Sequence, residues 1–266
     1  MGKKINQLRR RRQARQDLSD IFSNPKDVVV IHYSCESFYD RKDGSSPRVT
    51  SIAVRNLASG LTKSFSIHQV AEKRKVPVNE ISNQFNDLEK RMLKDFFDYV
   101  KSHQRGKWLH WNMRDINFGF AALEHRFQVL GGTHVHISEA NLIDLSRMLI
   151  ALYGVGYVGH PRLEKLMRLN GISPRDFLVG AEEAKAFEAG EYVKLHQSTL
   201  RKVDVLSNIA ERAENGNLKT NASWWEINGI SVGAVGEWLR EHWFVSAISG
   251  IATLTVGIYK IITVFQ

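Results

Sequence analysis

Apolar positions along the chain recur first with a period of two and then with the longer period of a helix. The stretch "DVVVIHYS" (27–34) is β-branched and apolar enough for a central strand, "RVTSIAVRNL" (48–57) alternates like its partner, and "LTKSFSI" (61–67) alternates again. "KDGSSP" and "ASG" supply the turns between them, which predicts a β-meander. In "FNDLEKRMLKDFFDYVKSH" (85–103), Leu88, Met92, Phe96 and Tyr99 then fall on one helical face. "GKWLHW" reads as a short strand, and "DINFGFAALEHRFQVLG" as a helix stopped by Gly131 and Gly132. "NLIDLSRMLIALYG" is a strand running into a helix, "PRLEKLMRLNGI" a small helix opened by Pro161, and "AEEAKAFEAGE" another. "STLRKVDVLSNIAERAENG" is an amphipathic helix. Together these predict an α/β domain over residues 25–215, a mixed sheet flanked by helices, with a linker over 216–242.

The two ends have a different character. Residues 1–24 form a basic arm, and its first sixteen positions, with Lys3, Lys4, Arg9, Arg10, Arg11, Arg12 and Arg15 and no acid, hold seven of the nine net positive charges. Such an arm attracts polyanions, whether nucleic-acid phosphates by counterion release or an anionic lipid surface, unless it is only a solvated start. At the other end, "WFVSAISGIATLTVGIYKIITVF" (243–265) carries Lys260 as its one charge. As a helix it would reach ~34 Å against a hydrocarbon core of ~30 Å, long enough to span with a tilt. Trp243 and Tyr259 suit interfacial positions, and Lys260 can snorkel to the headgroups. This predicts a single C-terminal transmembrane helix with the body facing the cytoplasm, as at a bacterial inner membrane; a buried C-terminal core helix is the other reading. Ser246, Ser249, Gly250, Thr253 and Gly257 would permit pairing of such helices and hence a homo-oligomer.

Composition narrows the chemistry. Hydrophobic residues at 43% suit a chain with a real core, and Cys35 is the one cysteine, which excludes an intrachain disulfide and a cysteine-based zinc cage. Carboxylates remain. Glu36 falls just past the first strand, Asp115 after the fourth strand, and Asp204 in the last long helix. Gathered at one sheet edge, they could hold Mg2+ or Mn2+, which take oxygen ligands, and a pair of such ions can stabilise the attacking and leaving oxygens of phosphoryl transfer.

In this order the sequence resembles the DEDD exonucleases of the ribonuclease H-like superfamily, over residues 27–215. Ser34-Cys35-Glu36-Ser37 is similar to the family's Asp-x-Glu-Thr/Ser motif, and the stretch from His110 to Asp115, "HWNMRD", to its His-Asn-x-x-Phe-Asp motif. Asp204 in "STLRKVDVLSNIAERA" resembles the aspartate of the last helix. The resemblance implies 3′-5′ hydrolysis of DNA or RNA, with Glu36, Asp115, Asp204 and the hydroxyl of Ser34 around two metal ions, and Asn112 and Lys202 beside the nucleic acid. Two departures stand out: Ser34 replaces an aspartate, which weakens metal affinity, and Thr199 and Leu200 stand where the family has a histidine or tyrosine base. His196, eight positions before Asp204, can substitute only if the helix between them is irregular, and Asp144 reads as structural.

Each residue also has a plainer role: Glu36 as a loop carboxylate, Asp115 as a helix cap, Asp204 as a surface charge paired with Arg201, and Lys202 as a cation on a solvated face, against the sharper reading in which it holds a phosphate or the carboxylate cluster. Three functions are therefore expected in competition. One is a membrane-anchored, metal-dependent nuclease, as in bacterial antiphage defence. The second is a catalytically inactive module of that fold that binds or senses nucleic acid or nucleotide, and the third a membrane-perturbing effector.

Overall fold

Val28–Cys35 (β1) is the axis of the molecule, and its run of β-branched residues is buried on both faces. In the computed structural model, which describes residues 2–36, 46–115 and 117–222, with side chains from residue 6 onward, β1 pairs antiparallel with β2 (Val49–Asn56), and β2 pairs antiparallel with β3 (Thr62–Ser66). On its other side β1 runs parallel to β4 (Lys107–His110), which runs parallel to β5 (Leu142–Asp144). The result is a five-stranded mixed sheet of order β3-β2-β1-β4-β5 flanked by helices, as the hydrophobic pattern predicts.

The two faces of β1 have different covers, because side chains alternate along a strand. Val29, Ile31 and Tyr33 join Leu88, Met92 and Phe96 of α3 (Phe85–Ser102) and Leu123 of α4 (Phe120–Val129) in one core. His32 and Ser34 face the other way, toward α8 (Tyr192–Glu214), a continuous helix that lies across β1 and β2. α7 (Gly180–Glu188) packs beside α8 at β1. The start of β2 is fixed by a buried pair: Glu89 accepts from Arg126 at 3.0 Å and from the Val49 amide at 2.6 Å.

Three elements depart from the sequence expectation. Residues Gly2–Ser23 are a helix, α1, and not a loose arm. Ala14, Leu18 and Ile21 lie on one stripe and are buried, where α1 packs on α5 (Leu145–Tyr153) and touches α8. Ile67–Lys73 forms a further short helix, α2, straight after β3. And α4 begins at Phe120, so Asp115 precedes the helix by a full turn of chain. The small helix opened by Pro161 is α6 (Arg162–Leu169).

Met1–Asn221 form one compact unit. Most of the expected linker (216–242) and all of the expected transmembrane segment (243–265) lie outside the described residues, as does Ser37 of the first motif. Among the described residues no helix is long and apolar enough to cross a membrane.

Candidate functional site

The last residues of β1 are where the sequence places its chemistry. A bulge between Ser34 and Cys35 interrupts the ladder to β2 there and re-aims the side chains that follow. Ser34 is buried, and its hydroxyl lies 2.8 Å from Glu183 Oε1 and 2.8 Å from Thr199 Oγ1. Ser51, its cross-strand partner, reaches the same threonine at 2.6 Å. Ser51, Thr199 and Ser34 thus form a chain of hydroxyls ending on a carboxylate. That carboxylate also accepts from Ser198 Oγ at 3.2 Å and from Lys202 Nζ at 2.7 Å.

Glu183 and Lys202 are the charged centre of this cluster. Their side chains are 13% and 8% exposed, so the pair is desolvated and each charge depends on the other. The ammonium also lies over the Phe177 ring at 5.4 Å. Nearby, Glu36 is held by Arg48, whose guanidinium stacks on Phe85 at 5.0 Å and Phe187 at 4.8 Å. Burial pushes the Cys35 thiol up, and Glu183 and Glu36 push it further, so it stays protonated. His32 is held well below its usual range by burial and then by Lys202, and is neutral.

The site residues named from the sequence separate into several places. Ser34, Glu36 and Lys202 gather at the end of β1. Asp115 is exposed in a tight turn, closed by reciprocal 3.2 Å backbone bonds with Phe118, and its carboxylate accepts from the Asn117 amide at 2.8 Å. Tyr33 pins that turn from the α4 side of the sheet, accepting from the Gly119 amide at 2.8 Å; a Cβ on Gly119 would meet the Met113 and Asp115 carbonyls at 2.8 and 2.9 Å. Asp115 therefore caps no helix. Asn112 is exposed in the left-handed region, φ 53°, and its amide points at Asp144 Oδ1, 3.3 Å away. Asp144 itself caps α5, accepting from the Ser146 amide at 3.0 Å, and pairs with Arg114 at 3.2 Å.

Asp204 and His196 do not face Ser34. Asp204 follows Thr199 by five positions in an unbroken helix, which turns it about 140° away, and it is 45% exposed, paired with Arg201 at 2.5 Å and Arg55 at 3.8 Å. His196 packs on His68 of α2, with ring centroids 5.0 Å apart. The regular helix between His196 and Asp204 withholds the irregularity that His196 would need to act as base. Burial, and then His68, lower its pKa to about 4.

Around Ser34 each carboxylate already holds a side-chain cation, Lys202 on Glu183 and Arg48 on Glu36. Mg2+ and Mn2+ are held by oxygen ligands, usually with one or two free carboxylates among them, and here both carboxylates are engaged by side-chain cations. Among the described residues, no three His, Cys, Asp or Glu side chains are grouped to hold a metal.

The basic residues at the start are displayed by α1. Arg9, Arg10 and Arg12 are exposed and Arg11 half-buried, while Lys3 and Lys4 belong to the first turns, with side chains outside the described set. Arg15 turns inward, donating to the carbonyls of Ala213 at 3.1 Å and Glu214 at 3.2 Å, the last turn of α8. Sequence reasoning missed Glu183 and Arg48. Glu183 lies in an Ala- and Glu-rich helix with no spacing that ties it to Ser34, and Arg48 reads as the polar start of a strand. The chain matches no protein-family model, no curated protein and no solved structure.

Proposed function

We propose that the protein is a non-hydrolytic nucleic-acid-binding module on a ribonuclease H-like fold, anchored in a membrane by residues 243–265. The mixed sheet and its flanking helices are compatible with that fold, and the Lys202 ammonium takes the place of a metal ion beside Ser34. The observation that carries the binding is α1. Three exposed arginines, Arg9, Arg10 and Arg12, stand on a helix held to the body by Leu18, Ile21 and the Arg15 clasp. A row of cations fixed in this way binds phosphates without reading bases, and its affinity falls steeply with salt.

The test uses the full chain in mild detergent with labelled single- and double-stranded DNA and RNA. Binding is expected to be equal in Mg2+ and in EDTA, with no release of nucleotides. Arg9→Ala, Arg10→Ala and Arg12→Ala together should lower the slope of log K against log salt on duplex DNA by about 3. Nucleotide release in Mg2+ or Mn2+ would restore the nuclease reading; absence of binding at low salt would remove both. Loss of membrane association on deletion of 243–266 tests the anchor.

A further inference from the structure

A second cationic site lies on the opposite side of the sheet from α8, between α3 and the loop that follows α4. There a cavity of about 610 Å³, within the range of small-ligand pockets, is walled by Arg74, Lys90, Arg91, Lys94 and Lys101 against the carboxylates of Asp87 and Asp98. Arg74 is paired with Asp87, and Lys94 with Asp98 at 2.6 Å. Lys90, Arg91 and Lys101 are paired with no carboxylate among the described residues, and all three are exposed. Lys90, Arg91 and Lys94 share about 6 Å of helix, a length over which two or three linked phosphates fit.

The rest of the pocket is closely packed. Phe97 stacks on Phe127 with centroids 5.0 Å apart and planes 11° from parallel, and His134 sits 5.6 Å from Phe97. The loop backbone is laid directly on this aromatic floor: a Cβ on Gly132 would fall 2.2 Å from the Phe127 ring, and Gly131 takes φ 73°, which glycine adopts without strain. The Gly132 amide donates to the Phe127 carbonyl at 2.8 Å, closing the turn. Like charges held side by side over a fixed floor repel one another until an anion joins them.

We propose that this pocket binds a compact oligophosphate, either inorganic or carried by a nucleoside, through Lys90, Arg91 and Lys94, with Lys101, about 10 Å further along α3, adding its charge from the far end of the pocket. The site is concave and local, unlike the row of arginines on α1, and its occupation does not depend on nucleic-acid binding there. The experiment measures thermal shift and calorimetric titration of the full chain in mild detergent with inorganic tripolyphosphate, ATP, adenosine and, at matched ionic strength, sulfate. Tripolyphosphate and ATP should saturate and raise Tm by roughly 5–10 °C at a hundredfold excess over Kd, with no saturable effect of adenosine or sulfate. ATP binding at least tenfold tighter than tripolyphosphate assigns the nucleotide as ligand, and equal affinities the inorganic chain.

The variant K90A/R91A/K101A, altered only at exposed positions and checked for fold by circular dichroism, should lose the shift, whereas R9A/R10A/R12A should keep it. A shift that is absent with both phosphates, reproduced by sulfate, or unchanged in K90A/R91A/K101A overturns the proposal. A shift that survives when oligonucleotide binding is absent leaves it standing alone.

Discussion

Arg201 and Lys202 are neighbours on α8 and each holds one carboxylate, yet the two pairs belong to different chemistries. Lys202 points into the sheet, where Glu183 is 13% exposed and collects two hydroxyls besides the ammonium. Arg201 points outward, and its partner Asp204 is 45% exposed. Water screens the second pair and not the first, so equal contacts carry unequal energies. The lesson is that a carboxylate acquires its role from the face of the helix that meets it. Spacing along the sequence favours Asp204, whereas packing favours Glu183.

The largest effect expected from breaking this contrast is at Lys202. Lys202→Met leaves Glu183 as a buried, unpaired charge and should lower unfolding free energy by about 3–5 kcal/mol in urea denaturation. Adding Glu183→Leu should recover most of that loss, because no buried charge remains. A loss below about 1 kcal/mol for the single variant would mean that water reaches the pair and that the inner and outer faces do not differ.

Next in size is a pH effect on the same helix. His196 titrates at about 4 in the folded chain and near 6.5 when unfolded, so the unfolded state takes up the proton first. The stability contributed by keeping this ring neutral is fully present above about pH 6.5 and is lost as pH falls toward 4, for a total of about 3 kcal/mol. His110, lowered to about 4 by burial against the opposing pull of Asp144, adds a slope of the same sign. His196→Phe should reduce the slope of stability between pH 7 and 4.5 while leaving the contributions of His110 and of His32, which burial also holds neutral; an unchanged profile would show that His196 is not among the groups responsible. Smallest of the three is Asp204→Asn, which should change stability by less than about 1 kcal/mol and leave oligonucleotide binding in EDTA untouched. A tenfold loss of binding would bring Asp204 back into the site.

Much of the sheet is legible from the chain because its signals are local. β1 to β3 follow β-branched runs and alternation to within a residue or two, and α3 ends within one residue of the stretch expected for it. The misses have physical causes. In α1 seven basic residues hide three apolar anchors, Ala14, Leu18 and Ile21, whose partners on α5 and α8 are more than a hundred residues away. The turn before α4 looks helical in isolation, and it is the hydroxyl of Tyr33, a residue of β1, that holds Gly119 extended. Of the candidate site, Ser34, Glu36 and Lys202 are legible by position, while Glu183 becomes visible only when a separation of 149 residues is closed by folding.

The Arg15 clasp joins positions 198 residues apart. Translation at about 5–20 residues per second puts that interval at roughly 10–40 s, during which α1 has emerged and its clasp on α8 has not been made. Until α5 has followed, the stripe of Leu18 and Ile21 and all of the arginines of α1 are presented together, on a nascent chain still attached to a ribosome that is itself made largely of RNA.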